Sequence, residues 1–176
     1  VVAASFSISV ANATDLVVSA TSQTSDDYAL SVAWSNQLAK QENGNRLTVV
    51  DNGSVKGLRQ LAAGRVDIAV IGAPHYLDAI NPKGNFSEDP ERFTKAYGEL
   101  RSLFAISTSA GQYVVRDSSG IKSFAGLKGR SIAIGRPGGN AGRVSSAFLE
   151  AYGLKPEDDV DTQYIDYSDA FNQMSN

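Results

Sequence analysis

The 176 residues are 42% hydrophobic and 20% charged, with a formal net charge of -3, which suits a chain with a real core, one domain or two small ones, and not a disordered one. Lysine and arginine are dispersed among acidic residues with no basic stripe, which argues against nucleic acid as a partner. Cysteine is absent and His75 is the single histidine, so disulfides are excluded, and the usual Cys/His metal sites or a Ser-His-Asp triad would all have to run through one imidazole.

The chain opens on "VVAASFSISVANA", small, apolar and uncharged, ending in Ala11-Asn12-Ala13. That A-x-A ending reads as the tail of a secretory signal peptide over residues 1–13. With no later run apolar enough to span a bilayer, the expected product is soluble, exported and periplasmic.

From Asp15 onward strands and helices alternate. "LVVSA" (16–20) reads as a first strand, and Ser25, Asp26 and Asp27 as caps of a helix that turns Leu30, Ala33, Trp34, Gln37 and Leu38 to one face. "RLTVV" (46–50) is a second strand, "DNGS" a turn, Val55 to Gly64 a second helix and "VDIAVI" (66–71) a third strand. Uniformly apolar strands joined through helices predict a parallel sheet covered on both faces. "INPKGNFSEDPE" (80–91) reads as a surface loop before a short helix over 92–97, and "LRSLFAIS" and "GQYVVR" as strands on either side of "TSAG" (108–111).

The crossing to a second domain is placed at that interruption, giving residues 14–107 to a first α/β domain and 108–176 to a second, incomplete one. In the second come a short helical turn in "GIKSFAGLKG", a strand "SIAIG" (131–135), a helix over 142–152 with Val144, Phe148 and Leu149 inward, a strand "TQYID" and a helix opening at Ser168.

Four loops follow the carboxyl ends of these strands: Thr21 to Asp27, Asp51 to Ser54, Gly72 to His75, and the cluster "GRPGGN" from Gly135 to Asn140. In open parallel sheets ligands gather at that edge, and glycines ahead of a helix let a small anion approach backbone N–H groups. Such residues also make ordinary turns and caps. A nucleotide is a poor fit: Pro137 stands where G-x-G-x-x-G needs its second glycine, and no Lys-Ser/Thr follows. No cofactor is expected, and no acid-base pair or nucleophile for an enzyme can be assembled. Asp26 and Asp27 are either helix caps or inward carboxylates that would favour an ammonium on the ligand. His75 reads as a surface or capping residue.

"NGSVKGLRQLAAGRVDIAVIGAP" and "YVVRDSSGIKSFAGLKGRSIAIGRPGGNAGRVSSAFLEAYGL" resemble the TAXI-type solute receptors of TRAP transporters. The resemblance runs from about Leu16 to Asp169. It implies a type II periplasmic-binding-protein-like fold of two doubly wound α/β domains with mainly parallel sheets. It also implies a monomer that captures a small organic acid or amino acid in the interdomain cleft and hands it to a TRAP membrane permease. The ligand-binding residues it implies, together with the loops above, are Thr21, Ser22, Ser25, Asp26, Tyr28, Gly53, Ser54, Gly72, Arg136, Gly138, Gly139 and Asn140. The first loop, "TSQTSDDY", keeps Thr21 and Tyr28 but lacks the family's glycines. Receptors of that kind continue past Asn176, so the sequence reads as lacking the end of its second domain. A solute-sensing module of the same fold in a signalling protein is the alternative.

Overall fold

The computed structural model describes residues 14–41, 45–106 and 111–175. The signal-peptide reading of residues 1–13 and most of the interdomain crossing lie outside the described residues. Three parallel strands form the first sheet: β1 (Asp15–Ala20), β2 (Arg46–Asp51) and β3 (Ile68–Ala69), in the order β2-β1-β3. Pairing runs from Asp15 opposite Arg46 to Ala20 opposite Asp51, with Val18 opposite Ile68 on the other side. The third strand is shorter than its apolar run, although Asp67 N–H to Val17 O (2.9 Å) and Val70 N–H to Ser19 O (2.8 Å) extend the pairing at both ends.

Helices α1 (Asp26–Leu38), α2 (Gly53–Ala62), α3 (Ala73–Ile80) and α4 (Glu91–Glu99) complete this part. Ser25 caps α1, its hydroxyl accepting from the Tyr28 amide. The inward face of α1 differs from the expected one: Ser31 is buried while Leu30, Ala33 and Gln37 are exposed. A serine face docks closely because it has little bulk, and Ser35 Oγ donates to the Leu47 carbonyl at 2.5 Å, tying helix to strand. Helix α3 begins inside the loop read over Gly72 to His75 and runs to Ile80, where the loop read over 80–91 opens. Gly72 is its N-cap and Pro74 sits in its first turn, where a proline's missing N–H costs nothing.

The first core gathers Leu58, Ala79, Phe86 and Tyr97, with Val55, Ile71 and Phe93 around them. The Tyr97 hydroxyl donates to Asp89 (2.6 Å), which also takes a bond from Arg59 Nε (2.9 Å). A buried phenol and a carboxylate thus satisfy one another.

The second sheet pairs β4 (Ser131–Ala133) with β5 (Asp161–Gln163) in parallel, covered by α5 (Asn140–Ala151), with α6 (Tyr167–Ser175) following. Its core is Leu127, Leu149, Leu154 and Val160. Of the three residues expected inward on α5 only Leu149 is buried; Val144 and Phe148 are exposed. Phe148 instead joins Tyr113, Phe124 and Tyr152 in an aromatic cluster on the surface of this part. The runs over 100–106 and 111–116 are not strands. Apolar content alone does not make a strand, since each needs a neighbour to take its backbone hydrogen bonds, and none is supplied among the described residues.

Candidate functional site

Parallel pairing brings the carboxyl ends of β1, β2 and β3 to one edge, and those of β4 and β5 to an edge of their own. The two edges face each other. Arg136, in the loop after β4, reaches Asp51 at the end of β2 with Nη1 3.2 and 3.1 Å from the two carboxylate oxygens. Its Nη2 lies 2.7 Å from Asp166, in the loop after β5. Asp166 in turn accepts from Ser22 Oγ (2.9 Å) and Thr24 Oγ1 (2.9 Å), both in the loop after β1. One guanidinium and one carboxylate therefore join four loops that the sequence holds far apart.

Electrostatics follow the contacts. Burial pushes the Asp166 carboxyl up, but the hydrogen bonds from Thr24, the Tyr167 amide and Ser22, with the Arg136 charge, outweigh it and hold the group below the usual carboxylate range. The bond to Asp51 raises Arg136, with the Asp166 charge adding to it against a smaller cost of burial. The Tyr167 phenol is pushed up by burial first, then by the charges of Asp166, Asp26 and Asp27, among others.

The glycine cluster supplies the close approach that its composition suggested. Gly135 has φ +94°, and a β-carbon there would lie 2.8 Å from the Ala141 side chain, so the turn from β4 into α5 can be made this tightly only by glycine. Gly138, at φ +69°, rests against Val55 in the first turn of α2, and Gly139 is the N-cap of α5. The first N–H groups of α5 thus open toward the junction.

Gly72 brings α3 against the same helix. A β-carbon there would lie 2.9 Å from Asn140 Oδ1 and 3.3 Å from His75 Nδ1. Arg143 on α5 pairs with Asp78 on α3 and donates to the Pro74 carbonyl at 3.4 Å. Beside these contacts lies a cavity of about 330 Å³ whose walls include His75, Asp78, Arg136, Gly139, Arg143 and Tyr164.

Most expected site residues meet here. Ser22, Arg136, Gly138, Gly139, Gly72 and Asn140 lie at the junction through the contacts above, and Gly53 (φ +72°) sits 3.9 Å from the Thr21 carbonyl, measured from where its β-carbon would be. Ser54 is fully buried, its hydroxyl without a hydrogen-bond partner among the described residues. Thr21 and Ser25 are used internally: Thr21 gives its N–H (2.9 Å) and its hydroxyl (2.7 Å) to Asp27, and Ser25 caps α1. Tyr28 contributes its amide to that cap, with its ring half-buried. Asp27 is therefore a loop-fixing carboxylate, and Asp26 is exposed in the first turn of α1.

One reading needs correction. His75, expected at the surface or as a cap, is 2% exposed, because α3 carries it inward against the α5 turn. Arg136, among the expected ligand-binding residues, is engaged by Asp51 and Asp166. Those two aspartates were not singled out as site residues. The rule that located the four loops would have found them, since Asp51 ends β2 and Asp166 stands three residues past β5.

A family profile matches residues 18–176, described as the NMT1-like family. The chain belongs to that family. Among solved structures, this NMT1-like chain is similar to the alkanesulfonate-binding protein SsuA from Xanthomonas axonopodis pv. citri bound to MOPS, at 17% identity and a TM-score of 0.52. The match covers 92% of the present chain and 50% of the other, so the chain spans about half the length of that structure. A comparison with curated proteins found no match. The fold is thereby a periplasmic-binding-protein-like α/β fold with parallel sheets. No helix among the described residues is long and apolar enough to cross a membrane, and no group of acidic or histidine side chains among them could hold a metal ion.

Proposed function

We propose that this chain is part of an extracytoplasmic solute receptor. Its two sheets, with their helices, act as two lobes, residues 14–107 and 108–176, and a small organic acid or amino acid lies between them. The observation that carries this reading is Arg136, which joins the carboxyl-end loops of both sheets beside the N-terminus of α5. A ligand touching both lobes stabilises the arrangement in which they meet, by its differential affinity. The anionic end of the solute takes the α5 N–H groups beside the Arg136 charge, while Asp51 and Asp166 favour an ammonium where one is present. The solved relative bound to MOPS, a sulfonate, supports an anionic ligand.

The receptor works in the periplasm as a monomer, catalyses no reaction and delivers its solute to a TRAP-type permease, as the resemblance of the glycine cluster and its flanks implies. Calorimetric titration with succinate, glutamate and MOPS tests the reading. At least one should bind one-to-one, and Arg136→Ala should weaken it by roughly one to two decades, the loss of a charge-assisted hydrogen bond. Heat signals indistinguishable from dilution for all three would remove the receptor reading.

A further inference from the structure

Helix α5 turns one face to the cavity of about 330 Å³. Gly139, Gly142, Arg143 and Ser146 line it, at the steps of three and four residues that stack positions along one side of a helix. Gly142 is buried and has no side chain, which leaves space beside the helix. From the first lobe Asp78 and Asn85 line the same cavity. The volume lies at the small end of the range for sites that take small molecules.

Two arginines belong to these walls, and they differ in what they have left to donate. Arg136 has both terminal nitrogens engaged, Nη1 by Asp51 and Nη2 by Asp166. Arg143 has one. Its Nη1 meets Asp78 and, at 3.4 Å, the Pro74 carbonyl, whereas Nε and Nη2 have no partner among the described residues. Nε and Nη2 form one edge of the planar guanidinium, an edge that can meet a carboxylate through two parallel N–H···O bonds. The Arg143 side chain is 43% exposed, so these donors are not sealed inside protein. It also stands one turn into α5 from the Gly139 N-cap, where the helix end favours negative charge.

We propose that Arg143 is the anchor of the solute: its Nε and Nη2 grip a carboxylate in the cavity while Asp78 keeps Nη1. The inference rests on the receptor reading and names the residue that holds the anionic end. The fork fits two coplanar oxygens that share a negative charge, so the solute is a carboxylic acid in its ionised form. An ester or amide offers the fork a single neutral acceptor and forms the weaker bond.

Calorimetric titration of the full chain with succinate, glutamate and MOPS tests it through four variants. Arg143→Gln should weaken whichever carboxylate binds the wild type by about 10- to 100-fold. Arg143→Lys keeps the charge without the fork and should recover only part of that loss. Asp78→Asn breaks the same ion pair from the other side, but it leaves the guanidinium in place and takes a negative charge out of the cavity wall. It should therefore bind no more than about twofold more weakly than wild type. Arg116→Gln removes an exposed arginine outside the cavity walls and should bind as wild type does.

Equal losses in Arg143→Gln and Asp78→Asn would show that the pair only holds α3 against α5, and would overturn the anchor. Unchanged affinity in Arg143→Gln overturns it too, as does a wild type that binds MOPS and neither carboxylate; each of these leaves the receptor standing. No binding of any of the three overturns both. The Arg143 Nε–H proton gives a readout independent of affinity: its resonance should shift downfield as the acid is added, and a proton that stays in place at saturation removes the fork.

Discussion

The contact between Arg136 and its two aspartates sets how firmly the two parts of the molecule hold each other, and it can be measured without any ligand. Removing the guanidinium breaks the pairs with Asp51 and Asp166. Asp166 keeps the hydrogen bonds from Ser22, Thr24 and the Tyr167 amide, whereas the Asp51 carboxylate, 14% exposed, loses its cation. Fully desolvated, each charged bond would contribute about 1.5–3 kcal/mol. The Arg136 side chain is 46% exposed, so solvent screening reduces each contribution to about 0.5–1 kcal/mol.

Arg136→Ala should thus destabilise the chain by about 1–2 kcal/mol in urea denaturation followed by circular dichroism. Combined with Asp51→Asn in a double-mutant cycle it should show a coupling of about 0.5–1 kcal/mol. Raising sodium chloride from about 0.05 to 0.5 M shortens the screening length severalfold and should erase much of that coupling. Arg136→Lys, which keeps the charge but not the fork, should fall between wild type and alanine. Additivity within about 0.3 kcal/mol at low salt would show that the arginine does not couple the lobes.

Gly135→Ala should destabilise by about 1–3 kcal/mol, since it meets both the positive φ and the 2.8 Å approach to Ala141; a melting temperature unchanged from wild type would show that the turn relaxes. His75 gives a pH dependence with a definite sign. Burial and Arg143 lower its folded pKa from 6.5 against the opposing pull of Asp78 and the Gly138 backbone, so the unfolded chain takes up the proton first and stability falls as pH drops below about 6.5. Above that value the contribution is complete, and below the folded pKa it falls no further. Denaturation midpoints between pH 5 and 7.5 should show this slope, and His75→Asn should flatten it; an equal slope in the variant would assign it to other groups.

The parallel sheet and the placement of its loops were legible because both depend on local signals. The strand patterns of 16–20 and 46–50 are apolar runs ended by turn residues, and a parallel sheet then puts the following loops at one edge. What was not legible depends on partners distant in sequence. The runs at 100–106 and 111–116 look like strands in isolation but become strands only when another backbone pairs with them. Helix α3 carried a signal in Gly72 and Pro74 with Tyr76, Ala79 and Ile80 at helical spacing, which the shortness of the stretch concealed. Asp166 and His75 acquire their surroundings from Ser22, Thr24 and Gly138, and no pattern along the chain announces such pairings.

The single tryptophan sits two turns into α1, about 12 Å along the axis from Asp26, where its indole meets the edge of Phe104 with ring centroids 5.9 Å apart. The molecule thus carries one indole fluorophore, which long-wavelength excitation separates from its seven tyrosines, placed toward the far end of the helix from the polar junction. Its emission should report whether the segment around Phe104 stays against α1. For the solute site proposed beside Arg136, a spectral change on binding would report motion carried along α1, whose first turn abuts the junction through Asp27 and Thr21.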